Sequence, residues 1–190
     1  PGLHARCDAL EVEEIAMINI QEKNTRESGQ SLVEVAISMT VLLILLAGLV
    51  DLDRAFFTYI TLRDAAQEGA SYASVINTRL LDSSEIPNYC SNITDRVLIT
   101  TKELEGGASN GPINLETLAD SGEVNVETTI NGTECTSVSQ ADICIGGAVS
   151  VRVTYGNFPM TTPFMGAIIG SQTIPLSAVV VDTILTPACD

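Results

Sequence analysis

The sequence of 190 residues has no tryptophan, one histidine and only nine lysine and arginine residues. Histidine is the usual general acid or base and a common zinc ligand, and the single histidine, His4, precedes the long apolar run. No CxxC pair is present to bind zinc. The few basic residues are scattered and form no stripe that would follow a phosphate backbone. We therefore expect no catalysis, no cofactor, no metal and no nucleic acid partner.

Acidic and apolar residues are abundant instead, and they are segregated along the chain. Hydrophobic residues make up 45% of the sequence, yet the formal net charge is -15. From Leu32 to Val50 the only charged residue is Glu34, and positions 41–50 read VLLILLAGLV. About 20 residues at about 1.5 Å each span a hydrocarbon core of about 30 Å. The run exceeds the apolar core of a signal peptide and lacks its small-residue cleavage site, so we predict a transmembrane helix.

The positions of charges, methionines and apolar residues divide the chain into four parts. Residues 1–29 form a leader or extension, in which Met17 is the expected true start. Residues 30–50 form the transmembrane helix, and residues 51–79 continue it outside the cytoplasm. Residues 80–190 form a small extracytoplasmic α+β domain. Because one apolar segment precedes one domain, we expect a single-pass membrane protein in contact with membrane lipid.

Four of the five cysteines follow the apolar run. Only Cys7 precedes it, whereas Cys90, Cys135, Cys144 and Cys189 come after it. An even set in a small domain favours two disulfides in an oxidising compartment, and four buried free thiols are the alternative. A local bond between Cys135 and Cys144 would leave Cys90 to pair with Cys189. Four cysteines permit three connectivities, so the sequence leaves the pairing open.

Helical periodicity continues well beyond the apolar run. The pattern predicts one helix from Ser31 to Asn77. One stripe of this helix is apolar except at Arg63 and Gln67, and its members are Phe56, Tyr59, Ile60, Arg63, Ala66, Gln67 and Ala70. Small residues, mainly Ala and Gly, lie on and beside this stripe. We expect them to allow close packing within the molecule, and a seam between subunits is the alternative.

The remaining sequence predicts one more helix and a sheet. Pro87 and nearby polar residues indicate a loop at 80–91 that contains Cys90, followed by a helix at about Ile93 to Leu104. Alternating apolar residues predict three strands, which are Val124 to Ile130, Val149 to Tyr155 and Leu176 to Leu185. The fold class is thus α+β: a long N-terminal transmembrane helix continues into a small domain that has a second short helix and a three- to four-stranded antiparallel sheet.

The residues just before the apolar run carry the most specific motif. Gly29 is followed by Gln30 and, at the fifth position after it, by Glu34. This arrangement resembles the processing site of type IV prepilins, which a membrane aspartyl peptidase cuts after the glycine. By resemblance, the new amino group of Gln30 would pair with Glu34 of the same or a neighbouring subunit. A carboxylate at the bilayer centre costs about 2.5 to 3.5 kcal/mol, so it requires such a partner.

A longer stretch, from Glu27 to Ser74, resembles the TadE-like family of tight-adherence pilus proteins. That family typically reads GQ.LVEFA, an apolar run, and then D..R......L..AA..GARYA. The matching residues are Gly29, Gln30, Leu32, Val33, Glu34, Ala36, Asp51, Arg54, Leu62, Ala65, Ala66, Gly69, Ala70, Tyr72 and Ala73. The C-terminal strands and the Pro/Gly loop between them, from Val149 to Val181, also resemble the closing hairpin of this family.

The resemblance implies a pilin-like fold and a minor pseudopilin of a tight-adherence (Flp-type) pilus or a related secretion apparatus. Its implied partners are the prepilin peptidase, the pilus or secretion platform proteins and other pilins. The alternative is an envelope protein that keeps its leader and presents the small domain as a binding or scaffolding module.

Overall fold

The computed structural model describes two compact units, residues 1–49 and residues 50–190. Backbone is described for residues 4–77, 83–101, 103–104, 108–109, 112–162, 166–167 and 169–186. Side chains are described within these ranges from residue 29 onward, except at residues 83, 103–104 and 108–109.

The first unit consists of helix. Helix α1 runs from His4 to Val75, and its residues up to 49 belong to this unit. The start predicted at Ser31 is therefore wrong, because the helix already begins at His4. No proline interrupts positions 4–75, and the segment before Gly29 is rich in Glu and Ala, which favour helix.

The second unit contains an antiparallel sheet of order β4-β3-β5-β6. Its strands are β3 (Val124–Ile130), β4 (Thr133–Glu134), β5 (Ala148–Pro159) and β6 (Thr173–Thr183). A two-residue Asn-Gly turn joins β3 to β4, and both turn residues have positive φ, 52° and 83°. This geometry matches the twist of paired strands and is open to asparagine and glycine. The α+β fold class predicted from the sequence is confirmed.

Two short helices and a small hairpin complete the unit. Helix α2 runs from Ile86 to Ile99, so the predicted loop at 80–91 and the helix predicted at 93–104 are both wrong in extent. Pro87 lies in the first turn of α2, where a backbone N–H has no partner within the helix, so proline is tolerated there. Cys90 lies in this helix and not in the predicted loop. Elements absent from the prediction are α3 (Leu115–Asp120), β1 (Glu103–Leu104) and β2 (Ala108–Ser109).

The face of α1 that is buried in the second unit is made of small residues. The predicted stripe is correct at Ala66 and Ala70, which are buried, and wrong at Phe56 and Tyr59, whose side chains are exposed. The residues with no exposed surface on this part of α1 are Leu62, Ala65, Ala66, Ala70 and Ala73. Small side chains allow backbones to approach closely, so they pack within the molecule, as one of the two sequence interpretations predicted.

The C-terminal end of α1 is closed by side chains and backbone from elsewhere in this unit. The hydroxyl of Tyr89 donates to the carbonyl of Ala73 at 2.9 Å. The amide of Leu185 donates to Ser74, and the hydroxyl of Thr186 donates to Val75. A helix leaves its last four carbonyls without helical partners, and these three bonds satisfy most of them. Burial, and to a lesser extent the nearby Tyr72, raises the pKa of Tyr89 to about 12.

Candidate functional site: the processing segment and the Asp51 anchor

The predicted processing segment lies within α1 and is open to its surroundings. Residues 29–34 are all exposed, and a Cβ added at Gly29 would meet no atom within 4 Å. Gln30 and Glu34 are four residues apart on the helix, so their side chains share one face. The structure thus presents the three residues of the predicted motif on one accessible stretch.

The apolar stretch that follows has the length and composition of a membrane span. Within the described residues, the segment Gly29–Val75 is the one helix long and apolar enough to cross a membrane, and none of its most apolar part is buried in the protein. The hydroxyl of Thr40 donates to the carbonyl of Ala36 at 2.8 Å. This local bond satisfies a polar group that lipid would leave without a partner.

Directly after the apolar stretch, Asp51 makes the most extensive polar contacts of the described chain with residues far away in sequence. Its carboxylate accepts the backbone N–H of Thr161 at 3.1 Å and that of Thr162 at 2.9 Å. The hydroxyl of Thr162 donates to the same carboxylate. Asp51 is only 3% exposed, and Thr162 is buried as well. The residues that follow β5 are therefore tied to α1 by one buried carboxylate, which we call the Asp51 anchor.

Arg54 extends the Asp51 anchor by one helical turn. Its guanidinium lies 3.5 Å from the Asp51 carboxylate, donates to the hydroxyl of Thr161 and lies 5.6 Å from the ring centre of Phe158. The hydroxyl of Thr162, followed by the backbone N–H groups of Thr162 and Thr161, lowers the pKa of Asp51 to about 2 although burial opposes this shift. The carboxylate therefore stays ionised at neutral pH, which makes its hydrogen bonds charge-assisted.

Farther along α1, the absence of a side chain at Gly69 leaves room for α2 to pack closely. A Cβ added at Gly69 would lie 2.5 Å from Cγ2 of Val97 and 3.5 Å from Cγ2 of Ile93. Both α2 residues are fully buried. Arg96 of α2 also lies over the ring of Tyr72, 4.9 Å from its centre. Glycine at position 69 is thus required for the close approach of the two helices.

The cysteines are connected differently from the pairing favoured by sequence spacing. Cys90 of α2 is bonded to Cys135, which follows β4, across 45 residues of sequence. The local Cys135 to Cys144 bond is therefore wrong, and so is the bond from Cys90 to Cys189. Cys144 is itself disulfide-bonded, and Cys189 lies outside the described residues. Helix α2 brings Cys90 next to Cys135 at the end of β4, and sequence spacing alone does not show this proximity.

Sequence reasoning found Asp51 and Arg54 only as matches to a pattern, and it did not find their partners. Thr161 and Thr162 lie just after β5, about 110 residues away, and the resemblance of this loop to the closing hairpin of the family did not single them out. In the described part of the chain, no group of three His, Cys, Asp or Glu residues is placed to hold a metal ion. Asp51 and Arg54 therefore position the residues that follow β5 on α1.

Comparison with known proteins identifies the segment that contains these features. Residues 29–71 match the model of a family described as TadE-like protein. No curated protein and no solved structure matches the chain. The match begins at Gly29 and includes Asp51, Arg54 and Gly69, which indicates a component associated with tight-adherence pili. The resemblance to the TadE-like family is thereby confirmed, and residues 29–71 of this chain are its TadE-like segment.

Proposed function

We propose that the chain is a minor pseudopilin-like component of a tight-adherence pilus or a related secretion apparatus, processed by a prepilin peptidase after Gly29. The observation that carries the proposal is the TadE-like match, which begins at Gly29. Accessibility supports it, because Gly29 is exposed and a Cβ added there would meet no described atom of another element within 4 Å. In this proposal the protein is a structural component and not an enzyme.

The chemistry of the new N-terminus gives the processing a purpose. Cleavage after Gly29 frees the amino group of Gln30, one helical turn from the carboxylate of Glu34. A carboxylate at the centre of a bilayer costs about 2.5 to 3.5 kcal/mol, and an ammonium group of the same or a neighbouring subunit offsets part of this cost. We expect this pair to favour lateral assembly of subunits while their helices are in the membrane.

The disulfides support a location of the domain outside the cytoplasm. Disulfides persist in oxidising compartments, and the domain contains the Cys90–Cys135 bond and a further bond from Cys144. This supports an inner-membrane protein with one span and with residues 51–190 outside the cytoplasm. Its partners would be the prepilin peptidase, the pilus platform proteins, other pilins and membrane lipid.

Mass spectrometry of the protein purified from its native membrane tests the proposal. The expected mature N-terminus is Gln30. Gly29→Leu should prevent cleavage, because a bulky side chain replaces hydrogen at the cut bond. Gly48→Leu is the matched control, since Gly48 lies in the same helix and also has no atom near its Cβ position. An intact leader in the native protein would contradict the proposal and favour a permanently anchored envelope protein.

A second variant separates cleavage from assembly. Glu34→Gln keeps the shape of the side chain and removes its charge. We expect cleavage after Gly29 to continue and incorporation into the pilus to fall. Unchanged incorporation would remove the proposed charge pair while leaving the processing site intact.

A further inference from the structure

The sheet of the second unit has an open edge along β3. Strand β3 pairs with β5 along its whole length, from Val124 to Ile130. On the other side it pairs with β4 only at Thr129 and Ile130. Among the described residues, no strand pairs with positions 124–128 on that side. The chain leaves the edge at Cys135, where it turns into a 3-10 helix that the disulfide ties to α2.

The hydrogen bonds to β5 establish which peptide groups point to the open edge. The carbonyl of Glu123 accepts the N–H of Gly156, and the N–H of Asn131 donates to Ala148, so odd-numbered residues of β3 face β5. In an antiparallel strand the N–H and C=O of successive residues point to opposite sides. The peptide groups of Val126 and Thr128 therefore point to the open edge, with the spacing that an added strand would match.

A groove of about 510 Å³ lies along this edge. Its walls are two residues of α2, the edge of β3 and the turn after β4: Cys90, Thr94, Asn125, Val126, Glu127, Thr128, Thr129, Glu134, Cys135 and Thr136. The volume falls in the range of about 300 to 1,000 Å³ that is typical of binding sites. At about 3.4 Å per residue, the five unpaired positions provide an edge about 17 Å long.

Polarity and charge indicate what this groove would bind. Thr128 is about nine-tenths buried, and its hydroxyl has no hydrogen-bond partner in the described part of the chain. The carboxylates of Glu127 and Glu134 are lining residues, and no lining residue is basic. The carboxylate of Glu127 forms an exposed ion pair with Arg152 at 3.8 Å. Glu134 would therefore attract a cationic ligand more strongly than Glu127.

We infer that this groove binds an extended peptide segment of a partner protein, which adds as a strand to the open edge of β3 and places a lysine or arginine against Glu134. Strand addition uses the backbone for affinity and side-chain contacts for selectivity. A peptide fits better than a small metabolite because the donors and acceptors at Val126 and Thr128 repeat at the period of a strand. The inference rests on the groove alone and does not depend on processing after Gly29.

Site-resolved amide hydrogen exchange on the full chain in detergent micelles, with its disulfides intact, tests this binding. The probe is a synthetic peptide of sequence KVKVKVK with blocked ends. We expect the amides of Val126 and Thr128 to exchange at least tenfold more slowly when the peptide is present at saturation. The same peptide with alternate amides methylated should give no protection, because it retains its charge but cannot pair as a strand.

Three results would overturn the inference. Slow exchange at Val126 and Thr128 without peptide would mean that the chain itself covers the edge. Protection confined to β6 would place the peptide on the opposite edge of the sheet. Equal protection by the methylated peptide would mean that the peptide binds only through its positive charge, which a protein of net charge -15 attracts, and not as an added strand.

Two variants test the proposed contact with the basic residue. Glu134→Gln should weaken KVKVKVK binding about threefold to fivefold, as expected for loss of one exposed ion pair. Asp120→Asn is the control, because it changes net charge equally at an exposed position that does not line the groove. Equal weakening by both variants would contradict a specific contact at Glu134.

Discussion

Asp51 and Thr162 are joined by a backbone and a side-chain hydrogen bond although 111 residues separate them in sequence. Asp51 is the first residue after the apolar stretch, and Thr162 lies just beyond β5. These bonds therefore tie the residues that follow β5 to the part of α1 that comes directly after the apolar stretch. Asp51 and Arg54 lie within the TadE-like segment, and these contacts give both residues a structural role.

Replacement of Asp51 tests the anchor directly. Asp51→Asn keeps the size of the side chain but removes the charge that accepts two backbone N–H groups and one hydroxyl. We expect a loss of about 1 to 3 kcal/mol in the free energy of unfolding, typical for weakened hydrogen bonds to a buried charged group. Chemical denaturation of the full chain in detergent micelles measures it. Asp53→Asn is the control, because Asp53 is exposed on the same helix. Equal losses for both variants would contradict the anchor.

The ionisation of Asp51 predicts a specific loss of stability in acid. The pKa of Asp51 is lowered from 3.8 to about 2, so the unfolded chain takes up this proton first as the pH falls. The stability that the carboxylate contributes is fully present above about pH 4 and is lost between pH 4 and pH 2. The contribution of the carboxylate to the free energy of unfolding is about 2 kcal/mol, because a shift of one pKa unit corresponds to about 1.4 kcal/mol.

The measurement for this effect is the free energy of unfolding of the wild type and of Asp51→Asn between pH 2 and pH 5. We expect the difference between them to shrink as the pH falls. A constant difference over this range would mean that the carboxylate does not titrate with a lowered pKa.

The sequence predicted the local features of this fold better than its long-range contacts. The apolar stretch and the strands were predicted closely because hydropathy and alternation depend on neighbouring residues. The buried face of α1 was predicted only in part: Ala66 and Ala70 of the predicted stripe are buried, whereas Phe56 and Tyr59 are exposed although they are more apolar. Close helix contact selects for size there, not for hydrophobicity, and no local pattern reports which face another element approaches.

In the candidate site as well, the sequence predicted the local motif but not the contacts between distant residues. Gly29, Gln30 and Glu34 form a continuous motif, and the structure places them on one exposed stretch of α1. The partners of Asp51, by contrast, become visible only after the chain folds.

The structure also predicts the partner of Cys144, which peptide mapping can identify. Cys90 is bonded to Cys135, and Cys144 is also disulfide-bonded, so Cys7 and Cys189 are the cysteines left within the chain. Cys7 precedes the apolar stretch, whereas Ile184 is hydrogen-bonded to Gly146 and Gly147, close in sequence to Cys144. We therefore expect peptide mapping without reduction to recover Cys90 linked to Cys135 and Cys144 linked to Cys189. A peptide that links Cys144 to Cys7 would contradict this.

The contact between Gly69 and Val97 predicts that alanine destabilises one glycine position of α1 and not another. Gly69→Ala should cost about 1 to 3 kcal/mol, because its new Cβ would overlap a buried, β-branched side chain that has little freedom to move. Gly48→Ala should be neutral or slightly stabilising, since alanine favours helix and nothing lies near that position. Combining Gly69→Ala with Val97→Ala should cost less than the sum of the two single losses, because each change makes room for the other. Strictly additive losses in chemical denaturation would show that the two residues do not compete for the same space.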